Sequence, residues 1–211
     1  MESRAAKSKT ERKTRNKEVA KRPEILALAK EAFATHGYPA SALRDISLQA
    51  GVTAAAIYYY FPSKEDMLSE IVLSGLERIQ AAVVGARLSA NGPVARLESV
   101  IRAHLDFCAQ NPAETKIITE DSRFLNPRDF AVAREKQIVI LNIYRTCIRE
   151  IIDEGVIPET DPTILAFNII SVILGWYRWF RTDRGLNVRQ TIEATARFAV
   201  AGVLGLQSNA H

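Results

Sequence analysis

Cysteine, histidine, glycine and proline are all scarce in this chain of 211 residues. The two cysteines, Cys108 and Cys147, lie far apart without a pairing motif, so no disulfide framework is predicted. We expect two buried thiols in a reducing, cytoplasmic setting. The three histidines show no metal-ligand spacing with cysteine or carboxylate residues, so no metal site is predicted.

Long apolar runs are also lacking. The most apolar stretch, 164–177, is interrupted by Asn168, Ser171 and Gly175, which favours a buried core helix over a membrane span. The N-terminal segment is charged and has no apolar centre, so neither a secretory signal nor a membrane partner is predicted. A hydrophobic fraction of 47% predicts a globular, cytoplasmic protein with a sizeable core.

No arrangement of residues typical of an enzyme is present. The sequence has no glycine-rich phosphate loop and no nucleophile paired with a base, so we predict neither an enzyme nor a cofactor. The adjacent pair Glu120 and Asp121 is interpreted as a solvent-exposed helix end. His36 is interpreted as the end of the first helix, and His104 as core or as the lining of a ligand pocket.

The alternation of apolar and polar residues that is typical of β-strands is nearly absent, whereas a helical period recurs along the chain. Three short helices are predicted before residue 61, and a connecting helix from residue 63 to about 84. Longer helices are predicted at about 93–110, 127–154, 162–183 and 187–205, with a short helix between 112 and 122. The prediction is an all-α protein of about nine helices, with a small N-terminal unit and a larger helical bundle.

Positive charge is concentrated in one segment. Residues 1–22 contain nine Lys or Arg against three Glu, a net charge of +6, whereas the whole chain carries +4, so residues 23–211 carry −2. A basic arm without apolar periodicity is expected to be flexible and to bind a polyanion such as nucleic acid. A solvated tail without a partner is the alternative.

Residues 42–60 have the dimensions of a helix-turn-helix. A short helix ends at the turn Gly51-Val52, and a second short helix follows before Pro62. We predict that Ser41 and Thr53 are the N-caps of these two helices and that Ser63 begins the connecting helix. In this motif the second helix enters the DNA major groove by its N-terminal end.

The composition of the second helix suits that position. Small side chains at the three alanines 54–56 let the backbone approach the base edges, and the hydroxyls of Tyr58 and Tyr60 can bind phosphates. Ile57 and Phe61 are predicted to face the core. A tyrosine cluster packed inside the core is the alternative.

Short motifs follow one another in a fixed order along residues 25–68. They are Phe33…Gly37-Tyr38, Ser41, Leu43-Arg44-Asp45-Ile46, Ala50-Gly51-Val52-Thr53 and Tyr58-Tyr59-Tyr60-Phe61-Pro62-Ser63-Lys64-Glu65. This series resembles the DNA-binding domain of the TetR family of bacterial repressors. The resemblance implies a helix-turn-helix DNA-binding domain at 23–66 and a C-terminal helical bundle at 85–211 for ligand binding and dimerisation.

The resemblance also implies particular DNA contacts. Thr53, Tyr58, Tyr60 and Lys64 match phosphate-binding positions, and Arg44 matches a position that reads a base such as guanine. The groove-facing positions are Ala54, Ala55, Ala56 and Tyr59. This chain has alanine at 42, 55 and 56, where family members often have polar residues, which gives more weight to Arg44, thymine methyl contacts, DNA shape and the arm. A surface ion pair of Arg44 with Asp45 or Glu18 is the alternative.

A homodimer formed by the last two helices is a further implication of the resemblance. Small residues and one phenylalanine recur at spacings of three and four along the last helix: Thr191, Ala194, Thr195, Phe198, Ala201, Gly202 and Gly205. Such a stripe permits a close approach of two helices. Ordinary packing within the chain is the alternative.

The segment GWYRWFRTDRG, residues 175–185, combines both tryptophans with three arginines. Aromatic rings beside guanidinium groups suit an apolar ligand with an anionic end. The segment is similar to that of TetR relatives that control lipid or sterol catabolism, which implies a lipid-like or acyl-CoA effector. Packing of these rings at helix ends or in a dimer interface is the alternative. The residues predicted to line the pocket, near the far end of the connecting helix at 79–84, are His104, Phe107, Tyr144, Trp176, Arg178 and Phe180.

The predicted function is a ligand-responsive transcriptional regulator. We expect a repressor that binds a palindromic operator in double-stranded DNA as a homodimer and is released by a small apolar or amphipathic effector. The alternative is a helical interaction module that does not bind DNA and whose basic arm contacts acidic protein or lipid.

Overall fold

The computed structural model describes residues 21–180 and 185–205. Within these ranges the chain forms nine α-helices and one short 3₁₀ helix, and it contains no strand, which confirms the predicted all-α fold. In chain order these are α1 (21–36), α2 (Leu43–Gln49), α3 (Ala54–Tyr60), α4 (Lys64–Ser89), α5 (Pro93–Gln110), α6 (Pro112–Glu120), the 3₁₀ helix (Ser122–Phe124), α7 (Pro127–Asp153), α8 (Pro162–Trp179) and α9 (Val188–Leu204).

The predicted basic arm at 1–22 lies almost entirely outside the described residues. Its last two residues, Lys21 and Arg22, are described and lie in the helix α1. Arg22 binds the carboxylate of Glu70 in α4 at 2.8 Å, and its guanidinium lies 4.4 Å from the centre of the Phe61 ring. These two cations therefore belong to the folded part of the molecule.

Helices α1 to α3, which we call the head, pack around buried apolar residues that are continuous with the core of the other helices. Residues three or four apart lie on one face of each helix and are almost fully buried: Ile25, Ala29, Phe33, Ile46, Ala50, Ile57 and Phe61. Gly37 and Gly51 turn the chain between the helices with φ of +80° and +64°, a conformation that glycine adopts without a Cβ clash. The prediction that Ile57 and Phe61 face the core is confirmed.

Two of the predicted helix starts are confirmed by hydrogen bonds. The Thr53 hydroxyl accepts a hydrogen bond from the backbone N–H of Ala56 at 3.1 Å, at the start of α3. The Ser63 hydroxyl accepts one from the N–H of Asp66 at 3.0 Å, at the start of α4. Each side chain thus satisfies a backbone donor that the first helical turn leaves without a partner.

The prediction that Ser41 caps α2 is wrong. Ala42 occupies the N-cap position, and no side chain caps this helix. The Ser41 hydroxyl instead donates towards the carbonyl oxygens of Ala32 and Gly37, at 3.0 and 2.8 Å. Ser41 therefore satisfies acceptors at the end of α1 rather than donors at the start of α2.

Helix α4 connects the head to the bundle and packs against α5, α6 and α7. It ends at Ser89 rather than near residue 84. The sequence contains no proline between Pro62 and Pro93, and Arg87 near the end of α4 pairs with Glu150 of α7. This ion pair and the absence of proline explain the longer helix.

The remaining long helices form the bundle, with Cys108 and Cys147 buried as free thiols, as predicted. Helix α8 ends at Trp179 rather than at 183, because Phe180 adopts an extended conformation. The Phe180 ring then stacks on the Trp176 ring, with centroids 4.5 Å apart and planes at 9°. The predicted extension over residues 181–183 lies outside the described residues.

The interpretation of Glu120 and Asp121 as a solvent-exposed pair is wrong. Asp121 is buried and accepts a hydrogen bond from the backbone N–H of Tyr38 at 3.3 Å, while Glu120 accepts one from the hydroxyl of Tyr177 at 2.8 Å. Burial raises the pKa of Asp121. The end of α6 therefore connects the head, through Tyr38, with the bundle, through Tyr177.

In the ranges that the structure describes, no helix combines the length and the apolar character that crossing a bilayer requires. The most apolar helix, α8, buries Leu165, Ala166, Ile169, Ile173 and Trp176 inside the bundle. This placement confirms the interpretation of 164–177 as a core helix.

Candidate nucleic-acid interface and ligand cavity

Helix α3 presents one outer surface that the rest of the chain leaves uncovered. Ala54 and Ala55 are exposed, Ala56 and Tyr60 are half-buried, and Ile57 between them is buried in the head. Tyr58 is 55% exposed and Tyr59 75% exposed, which contradicts the alternative that the tyrosines form a core cluster. Small residues at the start of the helix and phenol hydroxyls beyond them fit the approach of a helix end to a DNA groove.

Arg44 lies on the exposed side of α2, directly before this surface in the chain. Among the described residues, its guanidinium has no carboxylate within the 4 Å of an ion pair, so the alternative pairing with Asp45 is not formed. Glu18, the other alternative partner, lies outside the described residues. An arginine whose planar guanidinium forms no ion pair is the side chain best suited to bind the edge of guanine through two hydrogen bonds.

Lys64 begins α4 beside the head. Its ammonium group donates to the carbonyl oxygen of Pro39 at 3.3 Å and lies 4.4 Å from the centre of the Tyr38 ring. Partial burial lowers the pKa of Lys64, and the nearby charge of Asp121 opposes this effect. These contacts hold the side chain in place, and the hydrogen bond to Pro39 uses one of the three protons of the ammonium group.

A cavity of about 430 Å³ lies between α4, α5, α6, α7 and α8. Its lining is mostly apolar: Leu76, Ile79, His104, Cys108, Thr115, Ile118, Thr119, Arg134, Gln137, Ile138, Ile140, Leu141, Phe167, Ile170 and Leu174. The exposed residues of this set, among them Arg134, Ile138 and Phe167, form its rim on α7 and α8. The volume and the composition fit a small-molecule site, which typically measures roughly 300–1,000 Å³.

A second opening, a groove of about 400 Å³, lies along α6 and the end of α8. Its lining includes Lys116, Glu120, Trp176, Tyr177, Arg178 and Phe180, and it touches the cavity at Cys108. The groove is the more polar of the two. The cavity is therefore the better candidate for an apolar ligand.

The structure divides the six predicted pocket residues among three places. His104 lines the cavity, whereas Trp176, Arg178 and Phe180 line the groove. Phe107 and Tyr144 are buried and line neither; Phe107 packs under the guanidinium of Arg78. The rim residues on α7 and the α6 threonines were not predicted, since nothing in their local pattern distinguishes them from ordinary helix faces.

His104 and Tyr144 are bonded to each other inside the bundle. Nδ1 of His104 lies 2.9 Å from the hydroxyl oxygen of Tyr144. Burial lowers the pKa of His104 to about 4, and burial raises the pKa of Tyr144. Both side chains are therefore neutral near pH 7, and the hydrogen bond between them carries no net charge.

Helix α6 touches both the cavity and the head. Thr115, Ile118 and Thr119 line the cavity. The neighbouring residues of the same helix face the other way, since the Lys116 ammonium donates to the carbonyl oxygen of Ala34 in α1 at 2.6 Å. A displacement of α6 at the cavity wall would therefore be transmitted directly to α1 of the head.

One buried carboxylate, that of Glu114 in α6, joins three helices. It is 1% exposed and pairs with Lys30 of α1 at 2.7 Å and with Arg78 of α4. Gly75 of α4 leaves the space for it, because a Cβ there would lie 2.5 Å from Oε1 of Glu114. The close approach of α4 and α6 at this point depends on glycine.

Helices α8 and α9 share an uncovered apolar face. Ile164 is 60% exposed, Phe167 54% and Phe198 69%. The buried positions of α9 are Ile192, Ala196, Ala199, Val200 and Val203. Of the predicted stripe, Ala194, Phe198, Ala201, Gly202 and Gly205 are exposed, whereas Thr191 and Thr195 are half-buried.

A helix-turn-helix head with an uncovered second helix, joined through α4 and α6 to a bundle with an apolar cavity, defines a ligand-responsive DNA-binding transcriptional regulator. The family model for bacterial regulatory proteins of the tetR family matches residues 25–71, and that for the tetracyclin repressor-like C-terminal domain matches residues 90–203. The chain belongs to the TetR family.

Similar proteins cover almost the whole chain. The HTH-type transcriptional repressor KstR2 of Mycolicibacterium smegmatis is 24% identical over 206 residues, which covers 94% of this chain and 98% of that protein. KstR2 of Mycobacterium tuberculosis is 25% identical, with 87% and 92% covered. The crystal structure of AibR in complex with isovaleryl coenzyme A and operator DNA matches with a TM-score of 0.77 at 22% identity, over 84% of this chain and 97% of that one. At this identity the last match shows a shared fold.

Proposed function

We propose that this protein is a cytoplasmic repressor that binds a palindromic operator as a homodimer and is released by an amphipathic effector. The observation that carries the proposal is the uncovered surface of α3, with Ala54, Ala55, Tyr58 and Tyr59 exposed, together with the exposed Arg44 of α2, which forms no ion pair with any described residue. Thr53, Tyr58, Tyr60 and Lys64 would bind phosphates, and Arg44 would read a base. Ala54, Ala55, Ala56 and Tyr59 would face the groove.

A second copy of the chain would supply the second half of the DNA contact. The uncovered apolar face of α8 and α9 is the surface that a copy would bury, since exposed Phe167 and Phe198 lie on it. One head covers one half-site, whereas two heads reach two half-sites roughly 34–36 Å apart. Dimerisation therefore turns weak, local contacts into recognition of a palindrome.

The effector would occupy the apolar cavity and act through α4 and α6. Leu76 and Ile79 of α4 line the cavity, so a ligand that wedges them outwards tilts the helix that carries the head. The coupling equals the difference in ligand affinity between the two head spacings, and operator DNA must weaken ligand binding by the same factor. The names of KstR2, a ketosteroid regulator, and of AibR with isovaleryl coenzyme A support a lipid-like or acyl-CoA effector.

A salt-titrated binding experiment with the DNA upstream of the gene tests the proposal. We expect a specific complex with one dimer on a symmetric footprint, and specific binding tighter than binding to random DNA by about 10³-fold or more. Mass spectrometry of ligand that copurifies with the native protein would identify the effector, and that ligand should dissociate the complex. Equal binding to all sequences would contradict the proposal, and no binding to DNA would favour the helical interaction module whose basic arm contacts acidic protein or lipid.

A further inference from the structure

The cavity contains one buried hydrogen-bond donor that the protein itself does not use. His104 lines the cavity and is 6% exposed, and its Nδ1 is bonded to the Tyr144 hydroxyl at 2.9 Å. Within the described residues it makes no further hydrogen bond, and Nε2 is not sealed off from accessible space. Nδ1 is bonded to Tyr144, which does not line the cavity, so Nε2 is the ring nitrogen that remains for a ligand in the cavity.

The other polar groups of the inner wall are committed. The Thr115 hydroxyl donates to the carbonyl oxygen of Asn111 at 2.9 Å, and the Thr119 hydroxyl to that of Thr115 at 2.8 Å. Burial raises the pKa of the Cys108 thiol to about 11, so this thiol stays a weak, neutral donor. Arg134 and Gln137 are exposed at the rim.

Tyr144 fixes which nitrogen of His104 carries the proton. A neutral imidazole has one N–H donor and one acceptor nitrogen. If Nδ1 carried the proton, the fully buried hydroxyl hydrogen of Tyr144 would have no acceptor among the described residues. An unsatisfied buried donor is costly, so the Tyr144 hydroxyl donates to Nδ1 and the proton of His104 is on Nε2, facing the cavity.

We propose that the Nε2–H group of His104 determines ligand specificity by binding a neutral carbonyl oxygen within the apolar body of the effector. The inference rests on the proposed effector cavity and names the class of ligand: an amphiphile with an anionic end at the rim, near Arg134, and a ketone, ester or thioester oxygen at the depth of His104. A deep carboxylate would stay uncompensated beside a neutral imidazole. A plain alkyl chain would leave the donor without a partner.

Isothermal titration calorimetry of the full chain with decanoate and with oxodecanoates, each carrying its keto group at a different carbon, tests the inference. We expect one keto position to bind tighter than decanoate by about 3- to 10-fold, as one hydrogen bond contributes. The other positions should bind more weakly, because they bury a carbonyl without a donor. In His104→Phe the preferred position should lose its advantage.

Two tyrosine variants separate the positioning of the imidazole from general damage. Tyr144→Phe keeps the aromatic ring but removes the hydroxyl that fixes the tautomer of His104. The preference for one keto position should therefore become smaller without disappearing. Tyr177→Phe removes a hydroxyl bonded to Glu120, outside the cavity, and should keep the full preference. A preference that persists in His104→Phe, equal binding of all probes to the wild-type protein, or no binding of any probe would each overturn the inference.

The same measurements distinguish this inference from the proposed function, because they are made without DNA. If the position preference depends on His104 while no operator is bound specifically, the repressor is refuted and the ligand site remains. If operator binding is specific while the preference is absent, the repressor remains and the assignment of His104 is refuted. Should His104→Phe not fold, as judged by circular dichroism, the Tyr144→Phe result decides.

Discussion

Arg44 makes the sharpest test of DNA recognition at the scale of one residue. Arg44→Ala should weaken binding to the cognate operator by about 1–3 kcal/mol and binding to random DNA much less, because a bidentate contact to guanine carries sequence information. Fluorescence anisotropy at one fixed salt concentration measures both affinities. The matched comparison is Lys64→Ala, which should weaken binding to all sequences alike, as removal of a phosphate ligand does. Equal losses in Arg44→Ala would make Arg44 a phosphate ligand.

His104 makes the stability of the protein depend on pH. Burial lowers the pKa of His104 to about 4 in the folded state, against about 6.5 in the unfolded chain. The unfolded chain therefore binds this proton first as the pH falls, so the folded state loses stability between about pH 6.5 and pH 4, by up to about 3 kcal/mol. The groups facing the ring, Tyr144 and Cys108, stay neutral throughout, since their pKa values are raised.

Urea unfolding of the wild type and of His104→Phe at pH 7 and pH 4.5 measures this contribution. The wild type should lose more free energy of unfolding on acidification than the variant does, and the difference between the two losses belongs to His104. Equal losses would show that the imidazole titrates normally. Carboxylates such as Asp121 contribute equally to both proteins and cancel in the comparison.

Residues whose role depends on nearby sequence were predicted, and those whose role depends on a distant partner were not. Thr53 and Ser63 each cap the helix that follows them, which a serine or threonine before an apolar period indicates. Ser41 stands in the same kind of position, yet its hydroxyl bonds backwards to α1. The local pattern is the same in both cases, so only the three-dimensional packing distinguishes them.

Helix α4 contains two glycines with opposite expected effects. Gly75→Ala would place a Cβ 2.5 Å from Oε1 of Glu114 and 2.7 Å from Cδ1 of Ile118. The Glu114 carboxylate is buried and held by two cations, so α4 and α6 must separate, and stability should fall by about 1–3 kcal/mol. Gly85→Ala meets no atom within 4 Å and should raise stability by up to about 1 kcal/mol.

Thermal unfolding of the two glycine variants, side by side, checks this expectation. A lower melting temperature for Gly75→Ala and a higher one for Gly85→Ala is the predicted outcome. If both variants became more stable, α4 and α6 would have to rearrange without loss, and Gly75 would not be a spacing residue. Operator affinity measured on the same samples shows whether the separation of α4 and α6 reaches the head.

At the scale of elements, the long helices were predictable and their mutual arrangement was not. The bounds of α5, Pro93–Gln110, coincide with the prediction, because Pro93 begins the helix and Asn111-Pro112 ends it. The ion pair between Lys30 and Glu114 joins residues 84 positions apart. No helical period indicates such a contact. The predicted pocket residues were therefore divided between the cavity, the groove and the core.

The exposed face of α8 and α9 predicts how the whole molecule assembles. Phe198→Glu places a charge on that face and should convert the dimer into a monomer, with loss of specific operator binding. Phe130→Glu is the matched control, because Phe130 is also exposed, at 45%, but lies on α7. Analytical ultracentrifugation measures the assembly state. A dimer that persists in Phe198→Glu would place the interface elsewhere.

The basic arm, residues 1–22, is expected to act through its positive charge. Deletion of residues 1–20 removes seven of its nine cations and leaves Lys21 and Arg22 in α1. If the arm binds DNA phosphates, the slope of log affinity against log salt should fall by about 0.9 for each phosphate that the shortened protein no longer neutralises. Thermal stability should barely change. The slope is obtained from operator titrations over a series of salt concentrations, and an unaltered slope would show that the arm binds no phosphate.

The two-sided use of α6 limits how such a regulator can acquire a new effector. Substitutions at the rim on α7, such as Gln137 and Ile138, change the shape of the cavity away from the head and away from the exposed face of α8 and α9. Substitutions at Thr115 or Thr119 change the same cavity but also shift the helix whose Lys116 holds the end of α1. In a library selected for altered effector response, viable substitutions should therefore accumulate on α7 and be rare on α6. Effector specificity should therefore evolve through the α7 wall of the cavity. The α6 wall should change little, because α6 also holds the DNA-binding head in position.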